Sequence, residues 1–144
     1  MLRPARRLAS TRSALLLRRN GPSSVLRGAL APIARPPPAA GQVEVAVRRV
    51  GVNMHDTYVR SGLYPTARFP AVMGCEAAGR VTAVGTGVRG LRRGDRVALF
   101  EYASAYATHA IVAADACFKV PDGVSDDLAA ATLVQVSPSS NHES

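Results

Sequence analysis

Directly after a proline-rich connector, Pro36-Pro37-Pro38-Ala39-Ala40-Gly41, the chain switches to alternation, with Val43, Val45 and Val47 on one side and Glu44, Ala46 and Arg48 on the other. A period of two sends successive side chains to opposite faces of an extended backbone, so the segment predicts a strand with one buried face. Short segments of the same kind recur at 80–84, 96–100, 109–113 and 118–120, separated by glycine-rich or charged turns. Short strands punctuated in this way predict a small, mostly β domain with short helices, arranged as a barrel. At 144 residues the chain has room for one domain with a real core.

Two helical pieces interrupt the strands. In Asn53-Met54-His55-Asp56 the asparagine suits an N-cap, and an acid three places on suits the first turn. In Ser125-Asp126-Asp127-Leu128 a serine cap precedes two aspartates that favour the positive end of the helix dipole. This second helix is expected to run through Leu128 to about Gln135. Ser137-Pro138 stops it, because a residue before proline avoids the helical region.

The formal net charge of +8 is unevenly placed. Up to Val43 there are eight arginines and no acid, whereas from Glu44 onward ten basic residues balance ten acidic ones. A neutral body argues against a phosphate-binding surface, so nucleic acid is not an expected partner. No stretch approaches the roughly 20 apolar residues that a membrane-spanning helix needs. Residues 1–13, rich in arginine and serine and free of acid, have the composition of a basic leader or transit peptide. The mitochondrion is the expected destination, with plastid and cytoplasm as alternatives.

Several motifs are weaker than they look. Gly85-Thr86-Gly87-Val88-Arg89-Gly90 is a literal G-x-G-x-x-G after a strand. A dinucleotide fingerprint needs a helix at its end and an acid some 20 residues on at a second strand tip. Here Leu91-Arg92-Arg93-Gly94-Asp95 follows, which is another turn, so the glycines are read as loop residues. Arg93-Gly94-Asp95 is likewise read as turn chemistry rather than as an adhesion tripeptide. Cys75 and Cys117 form no C-x-x-C pair, so neither a disulfide framework nor a closed structural zinc site is encoded. His55, Cys75, His109 and Cys117 are metal-ligand types with no shared spacing, and no metal site is expected from them.

The stretch from Gly51 to Pro65 gathers an amide (Asn53), a carboxylate (Asp56), two phenols (Tyr58, Tyr64) and a guanidinium (Arg60). From the residues alone, Asp56 and Arg60 are placed to pair at i,i+4, and the phenols offer flat faces with polar tips. A well-capped surface turn accounts for the same composition.

With Val50 in front, this stretch resembles the zeta-crystallin-like, zinc-independent quinone oxidoreductases of the medium-chain dehydrogenase/reductase superfamily. Their pattern, V-G-x-N-x-x-D-x-Y-x-R-x-G-x-Y-P, is matched at every fixed position. Further landmarks follow in the family's order: Gly74-Cys75-Glu76-Ala77-Ala78-Gly79, residues 81–85, Gly94-Asp95-Arg96-Val97, Ala105-Tyr106-Ala107 and Val120 to Asp126. Upstream, residues 15–26 resemble the family's first strand and its Gly-Pro turn, here Gly21-Pro22. The resemblance covers about residues 14–135 and implies a GroES-like, alcohol dehydrogenase-like N-terminal domain there. Zinc-using alcohol dehydrogenases of the superfamily place a cysteine where this chain has Asn53 and a histidine where it has Cys75. Their four-cysteine lobe is also missing, so the metal-free branch is the better match.

The resemblance implies hydride transfer from NADPH to a quinone in a cleft between this domain and a Rossmann domain, with a homodimer for the full-length form. It assigns Asn53, Asp56, Tyr58 and Tyr64 to the catalytic cleft. Asn53 and Tyr58 meet the nicotinamide end or solvent, Asp56 holds a polar network, and Tyr64 shapes the quinone or cofactor side. No general acid is assigned. Two departures stand out: the segment Phe100 to Ser104 is compact where relatives often carry a glycine-bearing loop, and residues 136–144 form an unrelated polar tail. With the Rossmann domain absent, a truncated product inactive on its own is expected. Alternatives are an enoyl-thioester reductase fragment and a non-catalytic orphan barrel.

Overall fold

The computed structural model describes residues 10–136. Its largest element is a five-stranded sheet of β3 (Gln42–Val50), β5 (Glu76–Val84), β6 (Arg96–Phe100), β7 (His109–Ala113) and β8 (Cys117–Lys119), in the order β7-β3-β5-β6-β8. A smaller sheet has β1 (Thr11–Leu17) between β2 (Leu30–Ala34) and β4 (Ala71–Val72). Every pairing is antiparallel. A bridge between Ala14 and Ala107 joins the two sheets, beside a hydrogen bond from the Leu15 N–H to the Tyr106 carbonyl at 2.8 Å. The mostly β class expected from the alternation holds, and the barrel takes the form of two sheets rather than one closed hydrogen-bonded ring.

Alternation explains how the large sheet buries both faces. Val43 and Val45 of β3, Ala77 and Val81 of β5, Val97 and Leu99 of β6 and Val112 of β7 form the main core. On the opposite face, Ala78 and Ala98 meet Ala129 and Ala130 of α2 (Asp126–Ala130). Four alanines at this contact allow helix and sheet to approach closely. The face expected to be solvated does not behave uniformly. Glu44 is buried, and bulges between Glu44 and Val45 and between Val47 and Arg49 break the simple period.

Three boundaries differ from the sequence reading. β1 begins at Thr11 and pairs Thr11 to Ser13 with Ala34 to Pro32, so these three residues of the basic leader belong to the sheet. β5 starts at Glu76 rather than Arg80. The helix expected from Leu128 to Gln135 is two short pieces, α2 and α3 (Leu133–Val136), because the Ala131 backbone leaves helical geometry. Residues 1–9 and 137–144, which include Ser137-Pro138 and most of the polar tail, lie outside the described residues. Among the described residues no helix is long and apolar enough to cross a membrane.

Candidate active site

The site is built on α1 (Met54–Ser61) and the residues facing it. Asn53 caps this helix in an extended conformation, and the Asp56 carboxylate reaches back to accept from the Asn53 backbone N–H at 3.0 Å. That contact places the acid on the positive end of its own helix. Gly62 ends the helix at φ 92°, a left-handed conformation that glycine adopts without steric cost, and its N–H reaches the Tyr58 and Val59 carbonyls.

Asp56 does not pair with Arg60, as the i,i+4 spacing suggests. Its Oδ2 accepts a 2.6 Å hydrogen bond from Tyr106 Oη, while Arg60 donates to the Gly21 carbonyl. Asp56 is 7% exposed, so a phenol already inside the fold is a better partner than a guanidinium that would have to be desolvated beside it. Burial, and then the hydrogen bond to Asp56, push the Tyr106 phenol well above its usual range. Tyr106 is therefore a fixed proton donor to the carboxylate. Gly74 makes room for it: at φ +85° a Cβ here would lie 2.3 Å from Cδ1 of the Tyr106 ring.

Asn53 is held by a second buried acid. Its Nδ2 donates to Glu76 Oε1 at 2.8 Å, and Glu76 Oε2 accepts from the Val134 N–H of α3 at 3.0 Å. Glu76 is 2% exposed. Next to it, burial and the Asp56 and Glu76 charges push the Cys75 thiol up to about 12.

The aromatic residues form a rim on the other side of α1. Tyr58 and Tyr64 meet edge to face with centroids 5.3 Å apart, and His55 lies 5.3 Å from Tyr64 and 4.8 Å from Tyr102. Under this rim is a cavity of about 340 Å³ whose lining includes His55, Asp56, Tyr64, Thr66 and Tyr102. The Thr66 hydroxyl and His55 Nδ1 are both buried without a hydrogen-bond partner. A pocket at the small end of the ligand-binding range, walled by aromatic faces and holding two unpaired polar atoms, suits a flat, mostly apolar molecule with a polar edge.

Of the four residues assigned to the cleft, Asn53 caps α1, Asp56 and Tyr58 lie on it and Tyr64 follows it, but only Asp56 and Tyr64 line the cavity. Asn53 faces Glu76, and Tyr58 supports Tyr64. Tyr106, Glu76 and Tyr102 were not singled out by sequence reasoning. The first two stand inside the Gly74-to-Gly79 and Ala105-to-Ala107 landmarks, which is the signal that was available. His55 and Cys75 are far apart in sequence, yet the fold brings one ligand-type atom of each, with one from Asp56, to within 4.8 Å of one another.

The family model for the alcohol dehydrogenase GroES-like domain matches residues 39–122. Quinone oxidoreductase of Salmonella typhimurium is 42% identical over 99 residues, covering 68% of this chain and 30% of that protein. The structure of Escherichia coli quinone oxidoreductase complexed with NADPH superposes with a TM-score of 0.72 at 34% identity, over 85% of this chain and 37% of that one. The CurK enoyl reductase structure gives a TM-score of 0.74 at 25% identity, over 84% of this chain and 39% of that one. The chain spans about a third of the length of these relatives. By the extent and order of these matches, the chain belongs to the alcohol dehydrogenase GroES-like domain family and corresponds to the N-terminal part of the quinone oxidoreductase-like medium-chain dehydrogenases/reductases.

Proposed function

We propose that this chain forms the quinone-facing wall of an NADPH-dependent quinone oxidoreductase in which the hydride passes to the quinone without a metal. The observation that carries the reading is the aromatic-rimmed cavity backed by the Asp56–Tyr106 pair. A quinone ring suits the faces of Tyr64 and Tyr102, and the unpaired Thr66 hydroxyl is a donor for one of its carbonyl oxygens. Bound NADPH supplies the hydride, and the chain's own residues contribute alignment and electrostatics.

The residues present fit the nicotinamide end of the cofactor but not its pyrophosphate. Tyr64, 44% exposed at the cavity rim, would meet the nicotinamide end, with Tyr58 packed behind it and Asn53 fixing the start of α1 through Glu76. The start of α1 follows a strand, as a phosphate-binding turn would, but the Asp56 carboxylate fills it. Gly85 to Gly90 form a turn that leads into β6 with no helix, and Gly85 lies so close to β3's approach that a Cβ would meet the Ala39 carbonyl at 1.8 Å. The grip on the pyrophosphate therefore falls to other residues of the complete enzyme.

A fully substituted benzoquinone, which cannot alkylate thiols, tests the reading. Titrated into the chain, it is expected to shift the ring NMR signals of Tyr64 and Tyr102 saturably, with weaker binding in Tyr64→Leu and Thr66→Val. Shifts that never saturate, or that ignore both substitutions, would overturn it. The likeness to CurK enoyl reductase favours a second reading, reduction of an α,β-unsaturated thioester. Saturable binding of such a thioester, in place of the quinone, would select it.

A further inference from the structure

Charge that balances in total from Glu44 onward is not balanced in space. Around α2 and the turn before β6, Arg48, Arg49, Arg92, Arg96 and Lys119 are all in ion pairs with Asp95, Asp126 or Asp127. Arg18, Arg19 and Arg68 are exposed and enter no ion pair among the described residues. From Ser10 to Cys75 the only acids are Glu44 and Asp56, both buried and already hydrogen-bonded, so this stretch sends no carboxylate to the surface to meet those arginines. We propose that the face carrying Arg18, Arg19 and Arg68 docks on an anionic phospholipid surface, with the cavity rim against the lipid.

The register of the small sheet brings the parts of this face together. β1 and β4 are antiparallel with Leu17 opposite Ala71, so Arg18 and Arg19, which follow β1, run alongside Pro70 and Phe69, which precede β4. Next in the chain, Asn20 Nδ2 donates to the Val59 carbonyl at 2.8 Å and the Gly21 N–H to the Arg60 carbonyl at 2.9 Å. These bonds tie the turn after β1 to the end of α1, where Gly62 and Leu63 begin the loop to β4. That loop carries Arg68 and also supplies Tyr64 to Ala67 to the cavity wall, which β4 continues. The unpaired arginines and the cavity rim are therefore on one end of the molecule.

Exposed apolar side chains in the same loop decide what kind of anion the arginines meet. Leu63 is 67% exposed and Phe69 41%, on either side of the segment that lines the cavity. Such side chains leave water when they enter the boundary between headgroups and acyl chains, which a nucleic-acid backbone does not offer them. Arginine heads reach lipid phosphates while their stems lie along apolar surface. An anionic leaflet tightens binding about fivefold for each arginine held near it. The chain lies on the surface rather than crossing it, since the contact is made by two loops and a helix end. A lipid-dissolved acceptor then reaches the cavity without passing through water. That consequence rests on the quinone reading above, whereas the docking does not.

The complete 144-residue chain is tested on vesicles with no quinone present, so the result is independent of the quinone reading. It should sediment with phosphatidylcholine vesicles that contain one-third phosphatidylglycerol, not with phosphatidylcholine alone, and high salt should release it. Arg18→Gln, Arg19→Gln and Arg68→Gln together should weaken binding about a hundredfold. A chain that keeps these three but carries Arg3→Gln, Arg6→Gln and Arg7→Gln in the basic leader should still bind the anionic vesicles. The chain has no tryptophan, so Leu63→Trp supplies a single reporter. Its emission should shift to the blue on binding and be quenched by brominated acyl chains, while Phe118→Trp, at an exposed position on β8, should show neither change. Circular dichroism establishes that each variant is folded. Binding that ignores phosphatidylglycerol or the three face arginines, loss of binding in the leader variant, or quenching at Phe118→Trp in place of Leu63→Trp would each overturn the proposal. Capture of single-stranded RNA in place of the vesicles would overturn it too, by giving the arginines to nucleic acid.

Discussion

Glu44 shows how much one buried acid can contribute in this sheet. Arg35 clamps it with two 2.7 Å hydrogen bonds from Nε and Nη2, and Thr82 Oγ1 adds a third at 2.6 Å. The Arg35 clamp, followed by Thr82, brings the Glu44 carboxyl down to about 2. A carboxyl held below its unfolded value stabilises the fold above that value, and the stabilisation is lost as pH falls through the folded one. From that displacement, linkage puts the contribution at about 3 kcal/mol at neutral pH. In urea unfolding, Glu44→Gln should therefore be clearly less stable than the parent chain above about pH 5, the two converging towards pH 2. A stability difference that stays constant across this range would show that the clamp is not what lowers the Glu44 carboxyl. None of this was legible in the alternation, which placed Glu44 on the solvent side, because its partners come from the residue after β2 and from β5. The same limit applies to Asp56. Its capping role could be read three residues away, but its bond to Tyr106 spans 50 positions.

At the scale of elements, glycines mark where backbones or buried side chains come close. Gly51 joins β3 to α1, and a Cβ there would lie 2.1 Å from Glu76 Oε1 and 2.5 Å from the Ala130 carbonyl. One methyl group would thus strike β5 and α2 together. Glu76 cannot yield without releasing Asn53 and the Val134 N–H, so Gly51→Ala should destabilise the chain by about 1–3 kcal/mol, the usual range for overpacking. Denaturant unfolding measures this, and an unchanged midpoint would mean that Glu76 is not the keystone described. Strand periodicity and the Ser125 cap, whose Oγ accepts from the Leu128 N–H at 3.2 Å, were readable because they are local. The break between α2 and α3 was not, since Leu128 to Gln135 carries no glycine or proline to announce it. Neither were the bulges in β3, which answer to its neighbours rather than to its own sequence.

Across the whole molecule, the described residues carry only part of what the proposed quinone reduction requires. They supply an aromatic cavity and a fixed acid–phenol pair, but no free helix start for a pyrophosphate. The basic charge does not compensate, because the chain from Glu44 onward is balanced and the excess arginines precede it. A diphosphate held only by loop arginines in water is weakly bound, since exposed ion pairs contribute little. The 144-residue chain should therefore show no NADPH oxidation above background with a simple quinone. Residues 10–136 joined to the remaining two-thirds of Escherichia coli quinone oxidoreductase should turn over, and Asp56→Asn in that fusion should lower kcat more than KM, because Asp56 orders the wall rather than the cofactor's distant half. Steady turnover by the 144-residue chain alone would refute this division, because a phosphate site would then have to lie among residues that show none.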